Sequence, residues 1–141
     1  MKLRDIMTNQ ISAVKPDSSV SDVASAMRDH NIGSVPVCQG KKPVGIVTDR
    51  DITIRNVADG RNANARAQDV MSKDLVCGTP DMDAQKAAEI MGANQIRRLP
   101  IVENEEIVGM VALGDLAVSN KLEMEAGNAL TYISTPSKPT E

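Results

Sequence analysis

Gly45-Ile46-Val47-Thr48-Asp49-Arg50-Asp51 returns 64 residues later as Gly109-Met110-Val111-Ala112-Leu113-Gly114-Asp115. Each stretch reads as the end of a strand running into the start of a helix, with an Asp three residues past the junction. Working outward, the same offset lays residues 5–52 on 69–116 without a gap, and 12 of those 48 positions are identical. Met7/Met71, Pro16/Pro80, Asp17/Asp81, Ala24/Ala88, Met27/Met91 and Pro36/Pro100 are among them. Val35/Leu99, Val37/Ile101 and Ile52/Leu116 are apolar exchanges. Two copies in one register indicate an internal pseudo-dimer rather than a solenoid.

Each copy predicts the same order of elements. A short amphipathic opening (residues 3–7; 67–71) leads to a short strand (11–14; 75–77), and Pro-Asp then punctuates the chain. A helix comes next, with apolar residues at Val20, Val23, Ala24 and Met27 and at Ala84, Ala87, Ala88 and Met91. Ser19, with Asp22 three residues on, resembles a capping box at its start. Two strands joined by polar loops (39–42; 103–106) come after it, and a second helix closes each copy, over 49–58 and 113–130. The expected architecture is α+β: repeat one over 1–58, a linker over 59–66, repeat two over 67–130 and a flexible tail over 131–141. Two helices and three short strands bury little surface alone, so the copies are expected to share one core with a cleft along the seam.

Composition narrows the function. With 16 basic and 19 acidic side chains the net charge is −3, which argues against a bulk nucleic-acid binder. Aromatic residues make up 1% of the chain, one Tyr with no Phe or Trp, so a base-stacking platform is excluded and a planar ligand must lie among aliphatic groups. No apolar run reaches a membrane span, and no apolar segment stands behind the charged N-terminus as in a signal peptide. Two Cys and one His are too few for a zinc cluster or a disulfide framework. Cys38 and Cys77 read as reduced core thiols of a cytoplasmic protein. No nucleophile–base pair, metal cluster or glycine-rich phosphate loop stands out, so no catalytic residue and no resident cofactor are expected.

Three paired signatures now stand together: Asp5-Ile6-Met7-Thr8 with Asp69-Val70-Met71-Ser72, Ile32-Gly33-Ser34-Val35-Pro36-Val37 with Ile96-Arg97-Arg98-Leu99-Pro100-Ile101, and the two glycine-led stretches at 45–51 and 109–115. Together they resemble a tandem pair of cystathionine-β-synthase (CBS) domains, the arrangement called a Bateman module. The resemblance covers about residues 3–130. It implies two β-α-β-β-α repeats packed by pseudo-twofold symmetry, homodimerisation through helices, and a regulatory module that binds AMP, ADP or ATP; whether Mg2+ accompanies ATP stays open. It implies an Asp for the ribose and a Thr or Ser for ribose or phosphate, here Thr48 and Asp51. It also places Ser12, Ala13, Val14, Val35 and Pro36 around adenine.

The residues have a chemistry of their own. A carboxylate offers two acceptor oxygens, which suits vicinal hydroxyls. Thr-x-x-Asp is equally a helix capping box, and the two roles are compatible. Arg97 and Arg98 precede the strand proline of repeat two, where repeat one has Gly33 and Ser34. Arginine suits phosphate. If the stretch is extended, only one of the pair enters a cleft directly, with Arg98 favoured and Arg97 able to reach round the edge. By pseudo-twofold symmetry Thr48 and Asp51 are expected to meet Arg97 and Arg98 in one dominant cleft, aided by Arg50. The other cleft keeps Asp115 and Ser34 and is expected to be weak, because Ala112 and Gly114 replace Thr48 and Arg50. His30 and the eight Met read as surface and core filler. A sensor of this kind must pass its output to a downstream protein; two other readings stay open, a dimer-forming interaction scaffold without a ligand and a binder of S-adenosyl compounds or NAD(H).

Overall fold

The structure is a computed structural model that describes residues 1–118 and 123–134. The chain forms two compact units that cut across the repeat boundaries. One contains Ser12–Leu75 with Glu105–Ile107; the other contains Met1–Ile11, Val76–Asn104 and the chain from Val108 on.

In the first unit, α1 (Val20–His30) starts where the Ser19 side chain accepts from the Asp22 N–H at 3.0 Å. It stops at Asn31, which takes a left-handed φ of 53°. Ile32 N–H returns to the Met27 carbonyl at 3.0 Å and seals the C-terminus. Strands β1 (Ser34–Gln39) and β2 (Lys42–Thr48) pair antiparallel around Gly40. A bulge between Val37 and Cys38 shifts the register, so that Ser34 opposes Thr48 and Val35 opposes Val47. Val20, Val23, Val35, Val37, Val47, Ala67 and Val70 form the core. Ala67 and Val70 belong to α3 (Ala67–Val70), the opening of repeat two. The segment that leads into α3 docks on the start of α1: Val20 and Ser21 N–H donate to the Ala65 and Ala63 carbonyls, and Ala67 N–H to the Ser18 carbonyl. β2 passes into α2 (Asp49–Asp51), which runs on as a π-helix, Ile52–Val57.

The second unit repeats the plan with exchanged pieces. α4 (Ala84–Asn94) starts on the Asp83 side chain, which accepts from Gln85 N–H, and stops at Gln95 with φ 55°. β3 (Arg98–Glu103) and β4 (Glu106–Ala112) are hydrogen-bonded neighbours. Asn104 and Glu105 between them both have positive φ, as a tight hairpin turn requires. The chain's own start docks here: Leu3 N–H donates to the Met82 carbonyl, Arg4 N–H to the Pro80 carbonyl and Ala84 N–H to the Met1 carbonyl. Leu3, in a 3-10 turn (Leu3–Asp5), is fully buried with Ala84, Ala87, Ala88, Met91, Leu99, Ile101, Val111 and Leu116. α5 (Leu113–Ala117) and α6 (Glu123–Ser134) both pack on α4.

Four expectations need correction. In place of the strands predicted at 11–14 and 75–77 there are single bridges, Val14 to Val37 and, one residue past the predicted span, Gly78 to Ile101. Each carries one pair of ladder bonds and no more, because the prolines at 16 and 80 soon end the extended run. Ala24 is exposed while its counterpart Ala88 is buried. The helix expected over 113–130 is two helices, α5 and α6, the latter reaching Ser134. Cys77 is half-buried rather than core, unlike Cys38. Of the predicted tail, 135–141 lies outside the described residues. Among the described residues no helix is long and apolar enough to cross a membrane.

Candidate functional site

The strand-to-helix junction of the first unit is held by a reciprocal pair. Asp51 N–H donates to Thr48 Oγ1 at 3.0 Å, and Thr48 N–H donates to Asp51 Oδ2 at 2.9 Å. This box satisfies two helix-start donors and fixes both side chains. It occupies one Asp51 oxygen and leaves Oδ1, which lies 3.9 Å from Arg55 Nε. Asp49, just inside the helix, turns its Oδ1 back on the Arg50 N–H at 2.9 Å. Arg50 itself is exposed.

Ser34 joins this junction. As the cross-strand partner of Thr48 it shares a face with it, opposite the face that Val35, Val37 and Val47 bury in the core. Ser34 is only 7% exposed, and its Oγ makes no hydrogen bond to the described residues. Buried hydroxyls are nearly always bonded, so this one stands out. The sequence pattern puts Ser34 with Asp115; inside its unit it stands with Thr48. The signal that could have placed it is the hairpin register, which the bulge obscures.

The residues expected around adenine separate. Val35 and Pro36 are fully buried and have no side-chain surface to offer. Val14 spends its backbone on the sheet: its N–H donates to the Pro36 carbonyl at 3.0 Å and its carbonyl accepts from Cys38 N–H at 2.8 Å. Ser12 and Ala13, half-buried and exposed, keep their backbone groups outside the described hydrogen bonds.

In the second unit, Arg97 and Arg98 both line one open groove of about 570 Å³, with Ala112, Leu113 and Gly114 on its floor and Ala126, Gly127 and Leu130 of α6 beside them. The expectation that Arg98 enters directly and Arg97 reaches round the edge treats both as strand residues. Arg97 sits in a bend before β3, so strict alternation does not apply to it. Its carbonyl accepts from Leu113 N–H at 2.8 Å, which ties it to the junction. Neither guanidinium has an ion-pair partner among the described residues. Asp115 Oδ2 accepts from Ala112 N–H at 2.8 Å, and Ala112 has no side-chain oxygen to complete a box. Thr48 and Asp51 thus belong to one unit and Arg97 and Arg98 to the other. The pairing expected from sequence is not a feature of either unit by itself. Among the described residues no group of three or more His, Cys, Asp or Glu is placed to hold a metal.

Two small two-stranded sheets, one in each repeat, each pass into a short helix at a junction where an Asp carboxylate accepts from the strand-end N–H, and they define a two-repeat module. The CBS-domain family model matches residues 3–55 and 67–119, and the chain belongs to that family. The CBS domain-containing protein YhcV of Bacillus subtilis is 45% identical over 132 residues, covering 94% of each chain. The crystal structure of Hypoxic Response Protein I with two coordinated zinc ions superposes with a TM-score of 0.79 at 30% identity, over 84% of this chain and 98% of that one. A CBS domain protein from Pyrobaculum aerophilum complexed with AMP superposes at 0.81 with 21% identity, over 90% and 98%.

Proposed function

We propose that the chain is a regulatory sensor of adenine nucleotides, AMP, ADP or ATP, with one dominant site at the Thr48–Asp51 junction. Asp51 Oδ1 accepts from a ribose hydroxyl, Ser34 Oγ donates to the ligand, and the backbone of Ser12 and Ala13 reads the base edge. Arg97 and Arg98, in the other unit, carry guanidiniums without an ion-pair partner among the described residues, and such groups suit phosphate. The observation that carries this reading is the buried, unbonded Ser34 hydroxyl beside the Thr48–Asp51 box. Family membership and the AMP complex of the Pyrobaculum aerophilum protein support it. With ATP, Mg2+ is carried by the phosphates. Output passes through a second protein and through self-association, which would cover exposed Ile54, Val57, Val118 and Tyr132.

Calorimetric titration of AMP and ATP tests the proposal. Asp51→Ala weakens binding by about tenfold to a hundredfold, the worth of one hydrogen bond to a charged group. Ser34→Ala separates the two roles of that side chain. It weakens ligand binding yet raises stability without ligand by about 1 kcal/mol, because an unbonded buried hydroxyl is removed. Two equal sites, or binding untouched by Asp51→Ala, overturn the reading.

A second reading has its own observation. The box consumes Thr48 Oγ1 and Asp51 Oδ2, so the motif is explained as a helix cap even without a ligand. The chain is then a scaffold. A thermal-shift screen with AMP, ATP, NADH and S-adenosylmethionine divides the two, since a ligand at a hundredfold excess over Kd stabilises by about 2.7 kcal/mol.

A further inference from the structure

Arg55 lies on the π-helical stretch Ile52–Val57, one turn past Asp51. In that stretch the backbone bonds skip one residue further than in an α-helix: Ala58 N–H reaches the Thr53 carbonyl and Arg61 N–H the Asn56 carbonyl. Such stretches are rare and cluster at functional sites. The Arg55 guanidinium is held at two ends. Its Nη1 donates to the Met71 carbonyl at 3.0 Å and lies 3.5 Å from the Val70 carbonyl, at the C-terminal end of α3. Its Nε faces Asp51 Oδ1 at 3.9 Å. That separation is an ion-pair contact and too long for a hydrogen bond, so Oδ1 keeps its acceptor capacity. The other Asp51 oxygen is already fixed by Thr48 N–H. Asp51 thus has a backbone donor on one oxygen and, near the other, a guanidinium anchored at the end of α3. The matching position of repeat two carries Ser119 in the sequence, so Asp115 has no arginine at this offset.

We infer that Arg55 is the positioning residue for Asp51: it sets the direction of Oδ1 and hence the preference of the site for a ligand with intact ribose hydroxyls. The inference rests on the proposed sugar-binding role of Asp51. Arg55 itself touches no ligand; it acts through the carboxylate, from an anchor in the opening segment of repeat two.

The test uses the full chain, with AMP and 2′-deoxy-AMP titrated into wild type, Asp51→Ala, Arg55→Gln and Arg55→Lys, and with thermal unfolding of each. In the wild type AMP binds more tightly than the deoxy form. Arg55→Gln lowers AMP affinity roughly tenfold, within the range for neighbours in one network. It lowers deoxy-AMP affinity less, so the ratio falls toward that of Asp51→Ala. Arg55→Lys keeps the charge, loses the fork that spans Asp51 and the α3 carbonyls, and restores part of the ratio. Should Arg55→Gln leave the ratio at its wild-type value while Asp51→Ala abolishes it, the positioning role is wrong and the sugar-binding role stands. An Arg55→Gln variant that loses thermal stability and affinity for both ligands alike assigns Arg55 to structure alone and also overturns the inference. If Asp51→Ala changes neither affinity, the underlying reading fails, and the inference with it. Arg55→Lys supplies the same decision should the Gln variant not fold.

Discussion

α1 and α4 hold equivalent places in the repeat, begin on a side-chain cap and end on a left-handed residue at the same offset, yet they are covered differently. Ala84, Ala87, Ala88, Met91 and Gly92 of α4 are all buried. On α1 only Val20 and Val23 are, while Ala24 and Arg28, the counterparts of Ala88 and Gly92, are exposed. The difference is α6. It lies across α4 closely enough that a Cβ on Gly92 would sit 3.2 Å from the Ala129 backbone. After the π-helix, repeat one has turns instead of a helix, and their backbone closes the start of α1 rather than its side. An identical residue at an identical repeat position therefore carries a different load, set by whether a helix or a run of turns succeeds the repeat.

The strongest way to break that comparison is to enlarge both alanines. Ala88→Leu should destabilise by about 1–3 kcal/mol through overpacking against α6. Ala24→Leu should fall within about 0.5 kcal/mol of wild type, as exposed sites do. Urea unfolding of the pair measures both, and equal losses would mean that α6 does not cover α4. The next largest effect compares the two motif glycines. A Cβ on Gly45 would meet Met71 Sδ at 2.5 Å and the Ser72 carbonyl oxygen at 2.9 Å; on Gly109 it would meet Met7 Sδ at 2.6 Å and the Thr8 carbonyl oxygen at 3.2 Å. A thioether can swing away and a bridged backbone cannot; Ser72 is tied to Ile46 at 2.8 Å and Thr8 to Met110 at 2.9 Å, so the closer carbonyl at Gly45 decides. Gly45→Ala should cost about 1–2 kcal/mol and Gly109→Ala less. Smaller again is the cap. Thr48→Ala should cost about 1 kcal/mol, and Ala112→Thr should return up to the same amount by completing the second box. Thermal unfolding of the two single variants sharpens the comparison of the junctions. A loss at 48 without a gain at 112 would show that the second junction is shaped by something other than the missing hydroxyl.

Much of this was legible in the residues. The 64-residue offset, the cap at Ser19, the helix starts and the strand-to-helix junctions arise from apolar spacing and local side-chain chemistry, which act over a few residues. The placement of Leu3 in the core of the second unit and of Ala67 and Val70 in the first was not legible. An apolar opening segment can dock on either helix start, and nothing local says which. Ser34 escaped for a sharper reason. Counting outward from the Gly40 turn without the bulge sets Ser34 against Val47, and a one-residue slip moves a side chain to the other face. The bulge restores Thr48 as its partner, and only the folded hairpin shows it.

The weakest expected effect separates the two units by pH. Asp81, in the second unit, carries an ion pair. It accepts from Arg4 and lies 3.6 Å from Lys2, and the Arg4 hydrogen bond and charge hold its carboxyl below the ordinary range. Asp17, at the matching place, has no ion pair among the described residues. A carboxyl with a depressed pKa in the folded state contributes stability above its unfolded value, near 3.8, and loses that contribution as pH falls through the folded one. The pair is exposed, so the effect is small and screened by salt. Asp81→Asn should therefore be slightly less stable than wild type at pH 7 in low salt, with the gap closing below about pH 4 and in high salt. Asp17→Asn, at a position without an ion pair among the described residues, should match wild type at pH 7 in low salt. A pH series of thermal unfolding on both variants decides it. An equal gap for Asp17→Asn would mean that docking of the chain's first residues, with Arg4 beside Asp81, does not distinguish the second unit from the first.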